Sequence, residues 1–389
     1  MIEPGGTIGI LGGGQLGRMS TQAARSMGYR IWILEEGDSS PAGQAADGQI
    51  SGSYKDPRAL EALAQHCDVV TLEFENIPSE SLEALEERLP IRPGRALLEI
   101  SQHREKEKNF LNRNGFPTTR FAPIHDPETL ALTLAEWKRP AILKTATFGY
   151  DGKGQVRIES PHKAESAWRA IGEQDAILEE VVDFIGEFSA IVARNPRGDV
   201  RAYPLFENSH RHHILDYTFS EAAIDERLEA EGRQLAGNLA EQIGLEGILC
   251  IELFLTADHR WLVNELAPRP HNSGHGTIEG HLTSQFEQHI RAVADLPLGD
   301  TDRLRPGLMI NLLGDLWHPS PPNWSALLRD PAVKLHLYDK GEPRRGRKMG
   351  HLHLLGPDRD DLCTRGNRLR CQLGLPPIGE RATPAKDRR

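Results

Sequence analysis

An apolar run, TIGIL at 7–11, passes directly into GGGQLG at 12–17 and then into a segment patterned as a helix up to Gly28. Strand, glycine turn and helix in that order commit this end of the chain to a parallel sheet covered by helices, because parallel strands need a crossover connection. Further strands at 30–34 and 68–72, and the helical spacing of Leu82, Leu85 and Leu89 before Pro90 and Pro93, continue the alternation. Gly12-x-Gly14-x-x-Gly17, with Glu35 about 20 residues further on, also satisfies the dinucleotide fingerprint, in which N–H groups at a helix N-terminus face a phosphate. Two readings stay open: a phosphate contact, with an NAD-dependent oxidoreductase as the alternative function, or a tight turn that lets the helix pack on the sheet.

The rest of the chain is organised differently. A charged helix spans about 101–114 and stops at Gly115. Strands are predicted at 141–145, 177–182, 188–193, 248–255 and 261–266, with one helix at about 222–243. Pro297 and the loop to Pro306 mark a boundary, followed by strands at 308–313 and 333–338. The last residues are polar and predicted to be disordered. With 46 basic and 56 acidic side chains the net charge is −10, which argues against a nucleic-acid binder but not against a small anion in a local basic pocket. The four cysteines form no CxxC or zinc-ligand pattern, no signal peptide opens the chain, and no apolar run approaches the roughly 20 residues of a membrane span. A cytoplasmic location is predicted.

Three segments carry chemistry. Lys144 interrupts an apolar strand, where an ammonium needs an anionic partner. Five residues later a glycine-rich loop, Gly149, Tyr150, Asp151, Gly152, Lys153, Gly154 and Gln155, offers N–H groups and a lysine that can close over phosphates. It is not the GxxxxGK[ST] loop, so NTPases built on that motif are disfavoured. Glu252 and Glu265 interrupt two successive apolar strands, and a turn centred between Asp258 and His259 sets them opposite each other. Like charges in that position are destabilising. Mg²⁺ sharing a phosphate resolves the conflict, whereas the competing reading gives one glutamate an arginine partner and exposes the other. Asn264 adjoins Glu265 but points to the opposite face unless the strand bends. Arg269, His271 and Asn272 follow within a few residues and suit the same phosphate site. Lys340, Arg344, Arg345, Arg347 and Lys348 against Glu342 form a +4 knot that invites a phosphate-bearing substrate.

GGGQLGRM, EFENIP, LKTATFGYDGKGQ, the ILEE strand, NELAPRPHNSGH and YDKGEPRRGRKMGHL occur in this order. Together they resemble the ATP-dependent N5-carboxyaminoimidazole ribonucleotide synthetases of purine biosynthesis, in the ATP-grasp superfamily. The likeness runs from about residue 7 to about 355. It implies a mixed α/β and α+β ATP-grasp architecture: a Rossmann-like domain at 1–100, an ATP-grasp domain at 101–297 with a mobile lobe at about 118–183, a small β-rich domain at 298–380, and a tail at 381–389. It also implies the reaction, in which ATP, bicarbonate and 5-aminoimidazole ribonucleotide give the N5-carboxylated ribonucleotide, ADP and phosphate through carboxyphosphate, carried out by a homodimer. On this resemblance Arg104 and Lys144 contact ATP phosphates under the glycine loop. Glu179, Glu180, Val181 and Val182 hold adenine, Glu187 the ribose, and His210 and Asn264 complete the nucleotide site. Glu252 and Glu265 bind Mg²⁺. Tyr150, Asp151 and Lys153 reach the aminoimidazole, with Asp151 a candidate proton acceptor. Arg269, His271 and Asn272 hold bicarbonate and carboxyphosphate. Gln15, Leu16, Glu73, Lys340, Arg347 and Lys348 hold the ribonucleotide, so the first glycine loop serves no NAD.

Overall fold

The computed structural model describes residues 1–147 and 154–379. The N-terminal glycine motif behaves as its pattern predicts. Strands Gly48–Ser51, Arg30–Glu35, Thr7–Leu11 and Val69–Leu72 lie in that order in one parallel sheet. All five residues of Thr7–Leu11 are buried, as a central parallel strand requires. The short strand Gly48–Ser51 is half-polar, and its sequence carries no period that announces it.

Three findings refine the sequence reading. The helix predicted at about 101–114 is Arg104–Arg113, and a separate helix, Arg95–Ser101, precedes it across a break at Gln102 and His103. The break makes Arg104 the first helical residue and frees its N–H to donate to the Ala146 carbonyl at 2.9 Å. Second, the segment around Lys144 is a separate four-stranded antiparallel sheet, ordered Phe121–Ile124, Ala176–Glu180, Ala141–Thr145 and Gln155–Ile158. Helices Pro127–Trp137 and Ala164–Ala170, to which the sequence reading assigns no element, bury their apolar side chains on it. Asp126 caps the first of them and proline opens it. Third, the C-terminal strands extend the central sheet. Ile214–Phe219 pairs with Gly307–Leu313, so nine strands form one sheet running from Trp261–Ala267 to Val333–Leu337. Helix Arg359–Gln372 closes this end, and its fully buried Arg370 makes two bonds to Asp216, at 3.0 and 2.7 Å.

Helix Gln285–Val293 joins the first sheet to the large one by packing on helix Gln15–Ser26. Its His289 is fully buried and meets Thr71 Oγ1 at 2.9 Å. Burial alone pushes this imidazole down to about 3. The folded state therefore holds His289 neutral, and its contribution is complete above pH 6.5 and drains as pH falls toward 3. The loss over that window is up to about 4 kcal/mol. Urea unfolding of His289→Gln, which keeps a polar partner for Thr71 but does not titrate, should show a shallower fall in stability between pH 6.5 and 4 than the wild type. Parallel curves would contradict it.

Candidate active site

The hairpin of Gly247–Thr256 and Trp261–Ala267 does set Glu252 opposite Glu265, but by a different route from a simple turn. Next to the turn, Leu255 pairs with Trp261 and Leu253 with Val263, a register that would carry Glu252 to Asn264. A β-bulge follows, and Asn264 is its extra residue, so the pairing moves on by one and brings the two carboxylates face to face. Helix Arg104–Arg113 pins the bulge. Lys108, 1 % exposed, donates to the Asn264 carbonyl at 2.9 Å, and Glu107 accepts from the Leu266 N–H at 3.2 Å.

Each carboxylate has a cationic neighbour. Arg104 Nη1 lies 3.1 Å from Glu265 Oε2, and His271 Nε2 lies 3.0 Å from Glu252 Oε1. Burial by itself would drive Glu252 and His271 toward neutrality. His271 outweighs it at Glu252 and keeps that carboxyl below its usual range, while Cys250 and then Glu252 keep the His271 imidazole above its own. The arginine partner foreseen in the competing reading is thus present at Glu265, and the two acids still face one cavity of about 350 Å³. Two opposed hard-oxygen donors are the kind of set that Mg²⁺ accepts alongside phosphate and water oxygens. Among the described residues no cluster of three or more metal-ligating side chains occurs, so any ion here would complete its shell with substrate or water oxygens.

On one side of this pair lies a buried charge ladder. Lys144, whose strand position demanded an anion, finds it in Glu179, at 2.6 Å from Oε2, while Lys108 lies 3.2 Å from Oε1. Burial would raise the Glu179 carboxyl, but the two ammonium groups hold it at about 2. The Glu179 side chain therefore faces the lysines. Glu180 pairs with Arg139 at 2.9 Å, the Val181 N–H donates to the Pro140 carbonyl, and Val182 follows the strand half-buried. Glu187 and His210 form a pair of their own at 2.7 Å. Gly154 takes φ +68, accepts from the Thr145 N–H at 2.8 Å and leads into Gln155, which contacts His213. Gly149, Tyr150, Asp151, Gly152 and Lys153 lie outside the described residues, as does the tail at 381–389.

On the other side the first glycine loop is already filled. Glu73 accepts from the N–H groups of Gly14 at 2.5 Å and Gly17 at 2.6 Å, and Glu35 accepts from Gly13 at 2.6 Å. A Cβ at Gly14 would sit 2.5 Å from Glu73 Oε1, so the glycine makes room for a carboxylate. The N–H groups that a dinucleotide pyrophosphate would need are occupied by the protein's own acids, and the oxidoreductase alternative loses its phosphate seat. Gln15, Leu16 and Glu73 line the same cavity as Glu252, Glu265 and Lys348. So do Arg104, Arg269, His271 and Asn272. Both amide atoms of Asn272 are buried and unpartnered, which leaves them for a ligand. The basic knot does not converge as a unit. Lys348 lines the cavity and Lys340 acts electrostatically on Glu73, but Arg347 donates to the Glu342 carbonyl, and Arg344 and Arg345 are 73 % and 96 % exposed.

Residues 6–102 match the ribonucleotide synthetase preATP-grasp domain, 109–286 the ATP-grasp domain and 307–365 the phosphoribosylaminoimidazole carboxylase C-terminal domain. The N5-carboxyaminoimidazole ribonucleotide synthase of Bacillus subtilis is 42 % identical over 93 % of this chain and 94 % of its own. The chain belongs to the N5-carboxyaminoimidazole ribonucleotide synthase family, which are ATP-grasp ligases. A crystal structure of an N5-carboxyaminoimidazole ribonucleotide synthetase in complex with ADP is 41 % identical and superposes with a TM-score of 0.90, covering 95 % of this chain and 97 % of the other. The Aspergillus clavatus synthase in complex with ADP and 5-aminoimidazole ribonucleotide is 30 % identical, with a TM-score of 0.88 over 95 % and 99 % of the two chains.

Glu75, Glu107 and Lys108 are site residues that motif reading misses. For the helix the signal is present: Arg104, Glu107, Lys108 and Leu111 recur at i, i+3, i+4 and i+7, the spacing of one buried stripe, and the last three are buried. Burial raises the Glu107 carboxyl to about 8, with Lys108 opposing.

Proposed function

We propose that the chain carboxylates 5-aminoimidazole ribonucleotide with bicarbonate at the expense of ATP, giving N5-carboxyaminoimidazole ribonucleotide, ADP and phosphate. One observation carries the reading. A single cavity is lined by a paired carboxylate site, by Arg269, His271 and Asn272, and by Gln15, Leu16, Glu73 and Lys348. An anion-activating site and a polar ribonucleotide site thus share one space with no wall between them. The names of the relatives agree with it.

On this reading Arg104 and Lys144 hold the nucleotide phosphates, the residues 179–182 adenine, Glu187 the ribose, and His210 and Asn264 the rest of the nucleotide pocket. Glu252 and Glu265 hold Mg²⁺, which when bound neutralises charge on the β- and γ-phosphates. A bicarbonate oxygen held by Arg269 and His271 attacks the γ-phosphorus, the bond to the ADP oxygen breaks, and carboxyphosphate forms. The exocyclic amine nitrogen then bonds to the carboxyl carbon, the C–O bond to phosphate breaks, and the amine proton leaves to Asp151. The resemblance assigns Tyr150 and Lys153 to the same substrate. Lys340, Arg347 and Lys348 take the ribonucleotide phosphate. Because carboxyphosphate hydrolyses readily, the two half-sites must adjoin and exclude water. The sequence resemblance further supports a cytoplasmic homodimer.

The test is ADP release by the purified protein, which should require bicarbonate and 5-aminoimidazole ribonucleotide together. Release indifferent to either substrate would sink the reading. A nicotinamide dinucleotide titration should give no signal.

A further inference from the structure

We propose that Glu75 is a positioning residue for the carboxylation chemistry: it clamps Arg269 in the orientation that receives bicarbonate, an inference that rests on the function proposed above. Glu75 lies two residues beyond Glu73, in the loop leaving strand Val69–Leu72. Its carboxylate meets Arg269 side-on, with Nε 2.5 Å from Oε2 and Nη2 3.1 Å from Oε1. The side chains are only 24 % and 19 % exposed. Two parallel bonds fix the plane of a guanidinium as one bond cannot. They consume the Nε edge and leave Nη1, whose protein contact is a 3.3 Å bond to the adjoining Pro270 carbonyl. Both residues line the cavity beside His271 and the unpartnered amide of Asn272.

The clamp is itself held. Gln102, at the break between the two helices, donates from Nε2 to the carbonyls of Glu75 at 2.7 Å and Ile77 at 2.6 Å. Glu73 is tied to the first glycine loop. One short loop thus seats the ribonucleotide end of the cavity through Glu73 and the bicarbonate end through Glu75, which fixes the spacing of the two reacting partners.

The charge of Glu75 makes the idea testable by sign. A carboxylate beside an anion-binding guanidinium weakens its pull on an anion. If Glu75 acted through charge alone, neutralising it would tighten bicarbonate binding. A clamp predicts the reverse.

Wild-type ADP release dependent on both substrates comes first, since its failure would refute the proposed function and not the clamp. With that established, Glu75→Gln is assayed with bicarbonate varied at saturating Mg²⁺-ATP and ribonucleotide. The bicarbonate KM should rise about tenfold or more, the scale seen when an outer partner of a site residue is removed, while the ATP KM stays within about twofold. Adding Glu75→Gln to Arg269→Ala should bring no further loss, because the two act as one unit. An unchanged or lower bicarbonate KM, equal rises in every KM, or additive losses would each overturn the proposal. Gln102→Ala loosens the loop while leaving the carboxylate and guanidinium in place. It should raise the bicarbonate KM by a smaller factor, and it decides the matter if the Glu75 variant does not fold: no rise overturns the clamp.

Discussion

Glu179→Ala should lose about 3–5 kcal/mol of stability, the cost typical of leaving buried charge without its counterion. Glu179 and Lys108 are 4 % and 1 % exposed at their side chains, and Lys144 is 12 % exposed. Removing one carboxylate therefore strands two ammonium groups. Against a total stability of about 5–15 kcal/mol such a loss is a large share. The damage should also reach the chemistry, because Lys108 holds the bulge carbonyl that sets Glu252 against Glu265. Urea midpoints for Glu179→Ala and Glu179→Gln check this. Glutamine keeps an acceptor for Lys144, so its midpoint should lie between those of alanine and the wild type. A midpoint within error of the wild type for alanine would refute the ladder as a structural element.

The ladder also marks where sequence reading stops. Lys144 in an apolar strand correctly signals the need for an anion, but no local pattern shows that Glu179, 35 residues further on, supplies one. The first glycine loop poses the same problem. Its spacing reports that N–H groups are exposed at a helix start, and the partner that fills them, Glu73, lies 59 residues from Gly14. Local pattern shows the vacancy, and only the fold shows the occupant. The carboxylate hairpin was legible because pairing depends on few residues. Its bulge was not, since nothing at Asn264 distinguishes an extra residue from a regular one until Lys108 is seen holding its carbonyl. In the basic knot, counting charges finds a concentration, but burial and direction separate Lys348, which lines the cavity, from Arg345, which faces water. Strand periods were enough for three of the four strands in the sheet of the first hundred residues, all but Gly48–Ser51. The nine-stranded sheet depends on the pairing of Ile214–Phe219 with Gly307–Leu313, whose sequence separation no local signal spans.

Glu265→Gln should cost on the order of 100-fold or more in turnover, the scale of losing one electrostatic contact to the transition state, without costing stability. In the absence of substrate Glu265 faces Glu252 across the hairpin, a like-charge pair that destabilises the fold. Removing one charge relieves it, and the amide oxygen can still accept from Arg104, 3.1 Å from Oε2. Glutamine is a poor ligand for Mg²⁺ beside a triphosphate, so stability and activity move in opposite directions, as they do where a site holds unfavourable charge for its chemistry. Thermal unfolding gives a readout independent of turnover. Mg²⁺-ATP should raise the midpoint of the wild type, because a ligand bound to the folded state alone stabilises it. The variant should start at an equal or higher midpoint and gain less. A variant that unfolds earlier in buffer would mean that the Arg104 ion pair outweighs the repulsion. An equal gain from Mg²⁺-ATP would show that Glu265 does not hold the metal.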